Sequence, residues 1–201
     1  MTSARRLADQ PVTIAEFDAI VEQAGDDSRL YELIAGVVTM MTNPTRRHET
    51  IVTNIVTSLA APVRKRGYSM DIGGMRVQRE AAGTGLDKVK PDIAVRCAPG
   101  TPEDNLLNFI TDPIVIVEVL SPSTIDYDRG QKLEFYKSLP SVQHVVLVYQ
   151  DQLRIEHYIR HPDSEWRSDD LVVLTQAADL LKLSAVEFEM SATEAYFGFA
   201  F

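Results

Sequence analysis

The sequence predicts a single α/β domain, a central mixed β-sheet flanked by two helices, and three stretches of its 201 residues predict it. Residues 113–120, PIVIVEVL, are β-branched or bulky almost throughout, the pattern of a strand buried on both faces. Residues 45–66 carry Ile51, Val52, Ile55, Val56, Leu59 and Ala60 as a wide apolar stripe at helical spacing. From Val142 onward the chain turns to short apolar and alternating runs of strand length. A hydrophobic content of 45% and a charged content of 24% are ordinary for a globular domain with a sizeable core.

Residues 11–25 read as a helix. Thr13 and Glu16 have capping-box spacing, Ile14, Phe17 and Val21 share a face, and Gly25 supplies the stop. Residues 30–41 read as a hairpin turning at Ala35-Gly36, with Glu32 on the same face as Leu30 and Ile34. The 45–66 helix should kink or end near Ala61, because Pro62 lacks an amide donor, and Gly67 follows as a cap. Residues 68–80 suggest a strand pair or a bulged strand around Gly73-Gly74, and 81–88 a loop. That loop, AAGTGLDK, has neither the lysine and hydroxyl of a P-loop nor the spacing of a dinucleotide fingerprint. Residues 96–112 read as a long loop joining two strands. A helix over about 126–139 follows, with Thr124 or Asp126 as its cap and Pro140 beyond its end. A β-hairpin extension near 142–174 comes next, so the domain divides into a core of about 30–150 and a β-rich extension over 151–201. Phe188, Tyr196, Phe197, Phe199 and Phe201 form an aromatic tail that must pack on the body or pair with a second copy, which makes a homodimer an expectation.

Composition also bounds function. A single cysteine, Cys97, rules out an intramolecular disulfide and a cysteine-based zinc cluster. No apolar run approaches the roughly 18–20 residues of a membrane span, and no signal peptide is evident, so a cytoplasmic protein without a membrane partner is expected. The net charge is −9, concentrated in the second half: residues 1–100 carry a net +1, residues 101–201 a net −10. A phosphate-facing surface would therefore come from the basic residues of the first half, at Arg46 and Arg47, Arg64 to Arg66, Arg76 and Arg79, or Lys88 and Lys90. Each cluster can equally be a solvated face. His144, His157 and His161 have no metal-ligand spacing.

The chemistry gathers around Glu118. An ionised carboxylate inside a doubly buried strand costs several kcal/mol unless it is paired, hydrogen-bonded or bound to a metal. Asp92, directly after Pro91 and just before a second β-branched run, stands where strand pairing begins. Adjacent strands carrying Asp92 and Glu118 would bring two hard oxygen ligands together, a set suited to Mg²⁺ or Mn²⁺. Lys132 is the third member, an ammonium able to orient an attacking water or offset charge. It shares a helix face with Asp128 and Tyr136, so a plain ion pair with Asp128 is the competing reading. His48 lies on the inward face of the 45–66 helix, where a histidine is more often a packed core residue.

The strings YELIAGVV, PDIAV and EVLSPSTIDYDRGQKLEFY resemble the Uma-type restriction endonucleases of the PD-(D/E)XK nuclease superfamily. The resemblance runs from about Tyr31 to the C-terminus. It implies a restriction-endonuclease-like core and Mg²⁺-dependent (or Mn²⁺-dependent) phosphodiester hydrolysis on DNA. It further implies metal binding by Asp92, Glu118 and the carbonyl of Val119, with Lys132 catalytic and Glu32 and His48 accessory. The chain departs from the superfamily pattern in carrying Leu120 two residues after Glu118, where the usual lysine stands. Lys132 matches the position from which Uma-type members take their lysine, so the assignment needs the following helix to fold back onto the strand. A non-catalytic nuclease-fold module binding nucleic acid or protein is the alternative that the acidic surface and the displaced lysine favour.

Overall fold

The computed structural model describes residues 11–25, 31–41, 43–79, 85–97, 106–163, 165–167 and 170–201. The chain runs through α1 (Ile14–Ala24), β1 (Tyr31–Ile34), β2 (Val37–Met40), α2 (Arg46–Lys65), β3 (Ser69–Ile72), β4 (Arg76–Gln78), β5 (Lys88–Val89), β6 (Ile93–Arg96), β7 (Phe109–Ile110) and β8 (Pro113–Leu120). It continues through α3 (Ile125–Tyr127), a π-helical turn (Asp128–Lys132), α4 (Leu133–Ser138), β9 (His144–Tyr149), β10 (Ile155–Ile159), β11 (Leu171–Leu174), β12 (Leu180–Leu183), a 3₁₀ turn (Ser184–Val186), β13 (Phe188–Ser191) and α5 (Ala192–Ala195).

The strands form a six-stranded mixed sheet in the order β11-β10-β9-β8-β6-β3, a five-stranded sheet in the order β2-β1-β5-β4-β7, and the β12-β13 hairpin. In the six-stranded sheet β8 runs parallel to β9 and antiparallel to β6. All eight residues of β8 are buried. Alternation sends Val115, Val117 and Val119 into the core shared with α2, and Ile116 and Leu120 into the core shared with α4. Glu118 alternates with the second set and so faces α4 and the turn before it. The strands expected as a hairpin extension, β9 to β11, are continuous with this sheet.

Several elements follow their local signals closely. The Thr13–Glu16 capping box is complete at the start of α1. Ala35 and Gly36 both adopt positive φ, 49° and 73°, as a two-residue turn between right-twisted strands requires. A side chain at Gly36 would also strike Pro11, since a Cβ there would come within 2.7 Å of the Pro11 Cβ.

Other elements depart from expectation. Pro62 does not end α2, which runs on to Lys65. Proline falls in the last turn, where only one ladder bond is lost, and buried Val63 together with the bond from the Arg66 amide to the Pro62 carbonyl holds the end of the helix. The strands flanking Gly73-Gly74 do not pair with each other: β3 joins the six-stranded sheet and β4 the five-stranded one. Gly73, at φ 55°, donates its amide to the Asp92 carbonyl, and the chain changes sheets there. The expected 81–88 loop ends in β5, whose Lys88 is 2% exposed and bound to Asp18 at 2.8 Å, so this residue offers no phosphate-facing charge. The long loop before β8 contains the short strand β7. Residues 81–84 and 98–105 of the two expected loops, and Leu30 of the hairpin, lie outside the described residues.

The predicted 126–139 helix is broken. Gly130, at φ −96° and ψ −105°, leaves the helical region, and the Leu133 amide reaches back five residues to the Asp128 carbonyl. Thr124 stands at the N-cap position, but its hydroxyl bonds with Ser121 rather than capping the helix. In the aromatic tail Phe188 and Tyr196 are buried, while Phe197 and Phe201 remain exposed. Arg47 lies over the rings of Phe199 and Phe201.

Candidate functional site

The end of β8 and the start of β6 form one wall of a cleft of about 670 Å³. Its position follows from the ladder. Pairing of β6 with β8 stops at Ile93–Val117, so the edge of β8 beyond Val117 meets a side chain instead of a backbone. That side chain is Asp92, whose Oδ2 accepts the Val119 amide at 2.7 Å. The Val119 carbonyl lies on the same edge of the strand as its amide.

Each remaining group arrives on a different element. His48, in the first turn of α2, places Nε2 3.1 Å from Asp92 Oδ2. From the hairpin strand β1, Glu32 accepts the Lys90 amide on Oε1 at 3.0 Å. Lys132 closes the π-helical turn and is 2% exposed. Its Nζ lies 2.9 Å from Glu118 Oε1, 3.0 Å from Glu32 Oε1 and 3.6 Å from Asp128 Oδ1. The Tyr136 hydroxyl, one turn further along, donates to Glu118 Oε1 at 2.5 Å. The structure thus brings Asp92, Glu118, Val119, Lys132, Glu32 and His48 to one cleft, with the helix folded back onto the strand.

The electrostatics are those of a buried, over-acidic site. Among the described residues the lining includes Glu32, Glu49, Asp92, Glu118 and Asp128 against Lys90 and Lys132. Burial pushes the Glu118 carboxyl well up, with Lys132 opposing the shift. Burial also disfavours the charge on Lys132, but Glu118, Glu32, Tyr136 and Asp128 together hold its pKa well above the usual lysine value, so the ammonium stays charged. His48 is raised as well, burial being outweighed by Asp92 and Glu49. Two buried anionic oxygens, Glu32 Oε2 and Asp128 Oδ1, have no hydrogen-bond donor among the described residues.

A family model with the description "Uma2: Putative restriction endonuclease" matches residues 14–193. The chain belongs to the Uma2 family. Two relatives from Synechocystis are uncharacterized proteins. The one designated slr1290 is 37% identical over 111 residues, 55% of each chain, so the match spans about half of that relative's length. The one designated sll1609 is 29% identical over 161 residues, 80% of this chain and 88% of the relative. A crystal structure titled as a putative nuclease from Anabaena variabilis superposes with a TM-score of 0.72 over 92% of this chain and 98% of that one, at 19% identity. The shared architecture is the restriction-endonuclease-like α/β core, a mixed sheet flanked by helices.

The family's chemistry raises the question of a divalent ion. Among the described residues no three His, Cys, Asp or Glu side chains form a ready-made metal cage. The donor set at hand is the Asp92 and Glu118 carboxylates and the Val119 carbonyl, all hard oxygens, and the bonds described above engage one oxygen of each carboxylate. Such a set suits Mg²⁺, which keeps several of its waters and takes one or two carboxylates from the protein.

Further residues belong to the site. Asp128 lines the cleft and Tyr136 bonds Glu118 from the same helix face, both legible as helix-face partners of Lys132. Lys90 was legible as a member of a basic cluster, whereas Gln150, in the lining, and Tyr127, near Glu32, carry no signal in the sequence. Of the basic clusters, Lys90 alone lines the cleft among the described residues. Burial and Arg76 lower its pKa, against the pull of Glu32 and Asp92. Burial raises the Tyr127 hydroxyl far above its usual range, with the charge of Glu32 adding to the effect.

Proposed function

We propose that this cleft hydrolyses phosphodiester bonds of DNA with a divalent cation, Mg²⁺ or Mn²⁺, held by Asp92, Glu118 and the carbonyl of Val119. The observation that carries this reading is the meeting of Asp92, Glu118 and Lys132, from three separate elements, at one acidic cleft. A bound divalent ion supplies Lewis acidity toward the phosphodiester and makes water a better nucleophile at neutral pH. The protein's own groups do the rest. Lys132, charged and held between Glu118 and Glu32, orients the attacking water and offsets the negative charge that grows on the phosphoryl oxygens. Glu32 keeps that ammonium in place while its backbone bond to Lys90 ties β1 to the segment carrying Asp92. His48, raised by Asp92, orients that carboxylate and presents a cationic edge to phosphate when protonated.

The test is nicking of supercoiled plasmid DNA by purified protein with Mg²⁺ or Mn²⁺. Glu118→Gln and Lys132→Ala should each abolish nicking, and activity surviving both substitutions would overturn the assignment. One observation favours a second reading. Lys132 already neutralises Glu118 and Glu32, as a purely structural ion-pair network would, and the chain would then be a binding module on the nuclease fold. Divalent-ion heats that vanish in Asp92→Asn support the hydrolase. No heat in the wild type supports the module.

A further inference from the structure

Glu156, on β10, is fully buried, and its carboxylate is saturated. Oε1 accepts from the Tyr149 hydroxyl at 2.9 Å and from Arg154 at 3.0 and 2.8 Å, and Oε2 accepts from the Tyr158 hydroxyl at 3.1 Å and from Arg129 Nε at 3.1 Å. Burial disfavours the charge, yet these donors hold the Glu156 pKa below the usual glutamate value. Tyr149, Arg154 and Tyr158 are close to Glu156 in sequence, on β9, β10 and the turn joining them. Arg129 is different: it comes from the π-helical turn, one residue after Asp128 and three before Lys132.

The strand register gives this contact its meaning. Glu118 pairs with Leu147 on β9, and Leu147 pairs with Glu156 on β10, so the two glutamates occupy the same face of the sheet. Two strand spacings separate them, about 10 Å. The π-helical turn spans that gap and rests on the sheet at two points, Lys132 on Glu118 and Arg129 on Glu156. Gly130 leaves the helical region between these two points, so the regular helical ladder is interrupted there.

We infer that the Arg129–Glu156 pair is a positioning element that sets the Lys132 ammonium over Glu118, and that it governs the hydrolytic step rather than metal or DNA binding. The hydrolytic half of this inference rests on the nuclease reading above; the placement of Lys132 does not. Arg154 provides the control, since it binds the same carboxylate through the other oxygen, Oε1, and among the described residues no hydrogen bond or ion pair joins its side chain to the turn.

The experiment compares Arg129→Ala, Arg129→Lys and Arg154→Ala by two readouts. One is plasmid nicking over a range of Mg²⁺ concentrations. The other is proton exchange of the Lys132 ammonium by NMR in lysine-¹⁵N protein, without metal or DNA. The Arg129 side chain is 46% exposed, so Arg129→Ala should fold, and Arg129→Gln carries the same comparison if it does not. Arg129→Ala should slow the maximal nicking rate by about tenfold or more, leave the half-saturating Mg²⁺ concentration unchanged and speed exchange at Lys132. Arg129→Lys should recover most of both, and Arg154→Ala should leave both near wild type. Equal effects of Arg129→Ala and Arg154→Ala, or unchanged Lys132 exchange in Arg129→Ala, would overturn the inference. If the wild type does not nick DNA, the nuclease reading falls, and the exchange comparison alone decides whether the pair positions Lys132.

Discussion

Lys132 Nζ lies 2.9 Å from Glu118 Oε1 although the two side chains stand on separate elements, one closing an irregular helical turn and the other inside a doubly buried strand. Both side chains are buried in the wall of the cleft, so the pair is governed by desolvation as much as by attraction. Removing the lysine leaves Glu118, Glu32 and Asp128 facing one another without a cation, and such a loss costs about 3–5 kcal/mol. Lys132→Met should therefore unfold at markedly lower denaturant. The double variant Glu118→Gln with Lys132→Met should recover part of that loss, a coupling measurable by a denaturation cycle.

Divalent ions should stabilise the protein as well as activate it. An ion that binds only the folded chain adds about 2.7 kcal/mol at a hundredfold excess over its dissociation constant. The melting temperature should rise with Mg²⁺ or Mn²⁺ in the wild type and stay flat in Asp92→Asn. An equal rise in the variant would place the ion elsewhere.

Acid should weaken the fold through the buried histidine pair. His144 Nδ1 and His157 Nε2 are 3.0 Å apart, and His144 Nε2 faces the Ser184 hydroxyl and the Ala185 amide. The amide can only donate, so His144 carries its proton on Nδ1 and donates to His157. Burial pushes His144 down to about 4; burial and the charge of His144 push His157 down to about 3. The unfolded chain takes up protons near pH 6.5 that the folded chain refuses, so this contribution is complete above that pH and is lost as pH falls toward 3. Melting temperature followed from pH 7 to 4 should fall steeply in the wild type. The double variant His144→Gln with His157→Gln should show a shallower fall.

The turn that delivers Glu32 can be improved. Ala35 sits at φ 49°, a region that costs an L-residue with a Cβ about 1–2 kcal/mol and that asparagine tolerates better. Ala35→Asn creates the Asn-Gly pair preferred in such hairpins and should stabilise by about 0.5–1 kcal/mol in chemical denaturation. Gly36→Ala should do the reverse, because the same positive φ is combined with a collision against Pro11.

Much of this molecule was written in local patterns. The buried strand at 113–120, the amphipathic stripe of α2, the capping box of α1 and the Ala35-Gly36 hairpin depend on residues within a few positions of one another, and periodicity exposes them. Continuous β-branched runs put Glu118 inside a strand and Asp92 at the start of another, and the cost of burying a carboxylate demanded a partner for Glu118. Where an element ends is a weaker signal: Pro62 is tolerated because the packing of Val63, four residues beyond Leu59 on the same buried stripe, offsets the lost bond.

Only the tertiary structure decided which charges are paired and where. Lys88 reads as a surface base next to Lys90, yet it is buried against Asp18, 70 residues away, while Lys90 lines the cleft. Glu156 stands in a run whose partner no local pattern names, and that face of β10 meets Arg129 from a turn 27 residues earlier. The reason is physical. Propensity and periodicity report the shape of a segment and which of its faces is apolar, whereas the partner of a buried charge is set by strand order and register, which no local stretch contains.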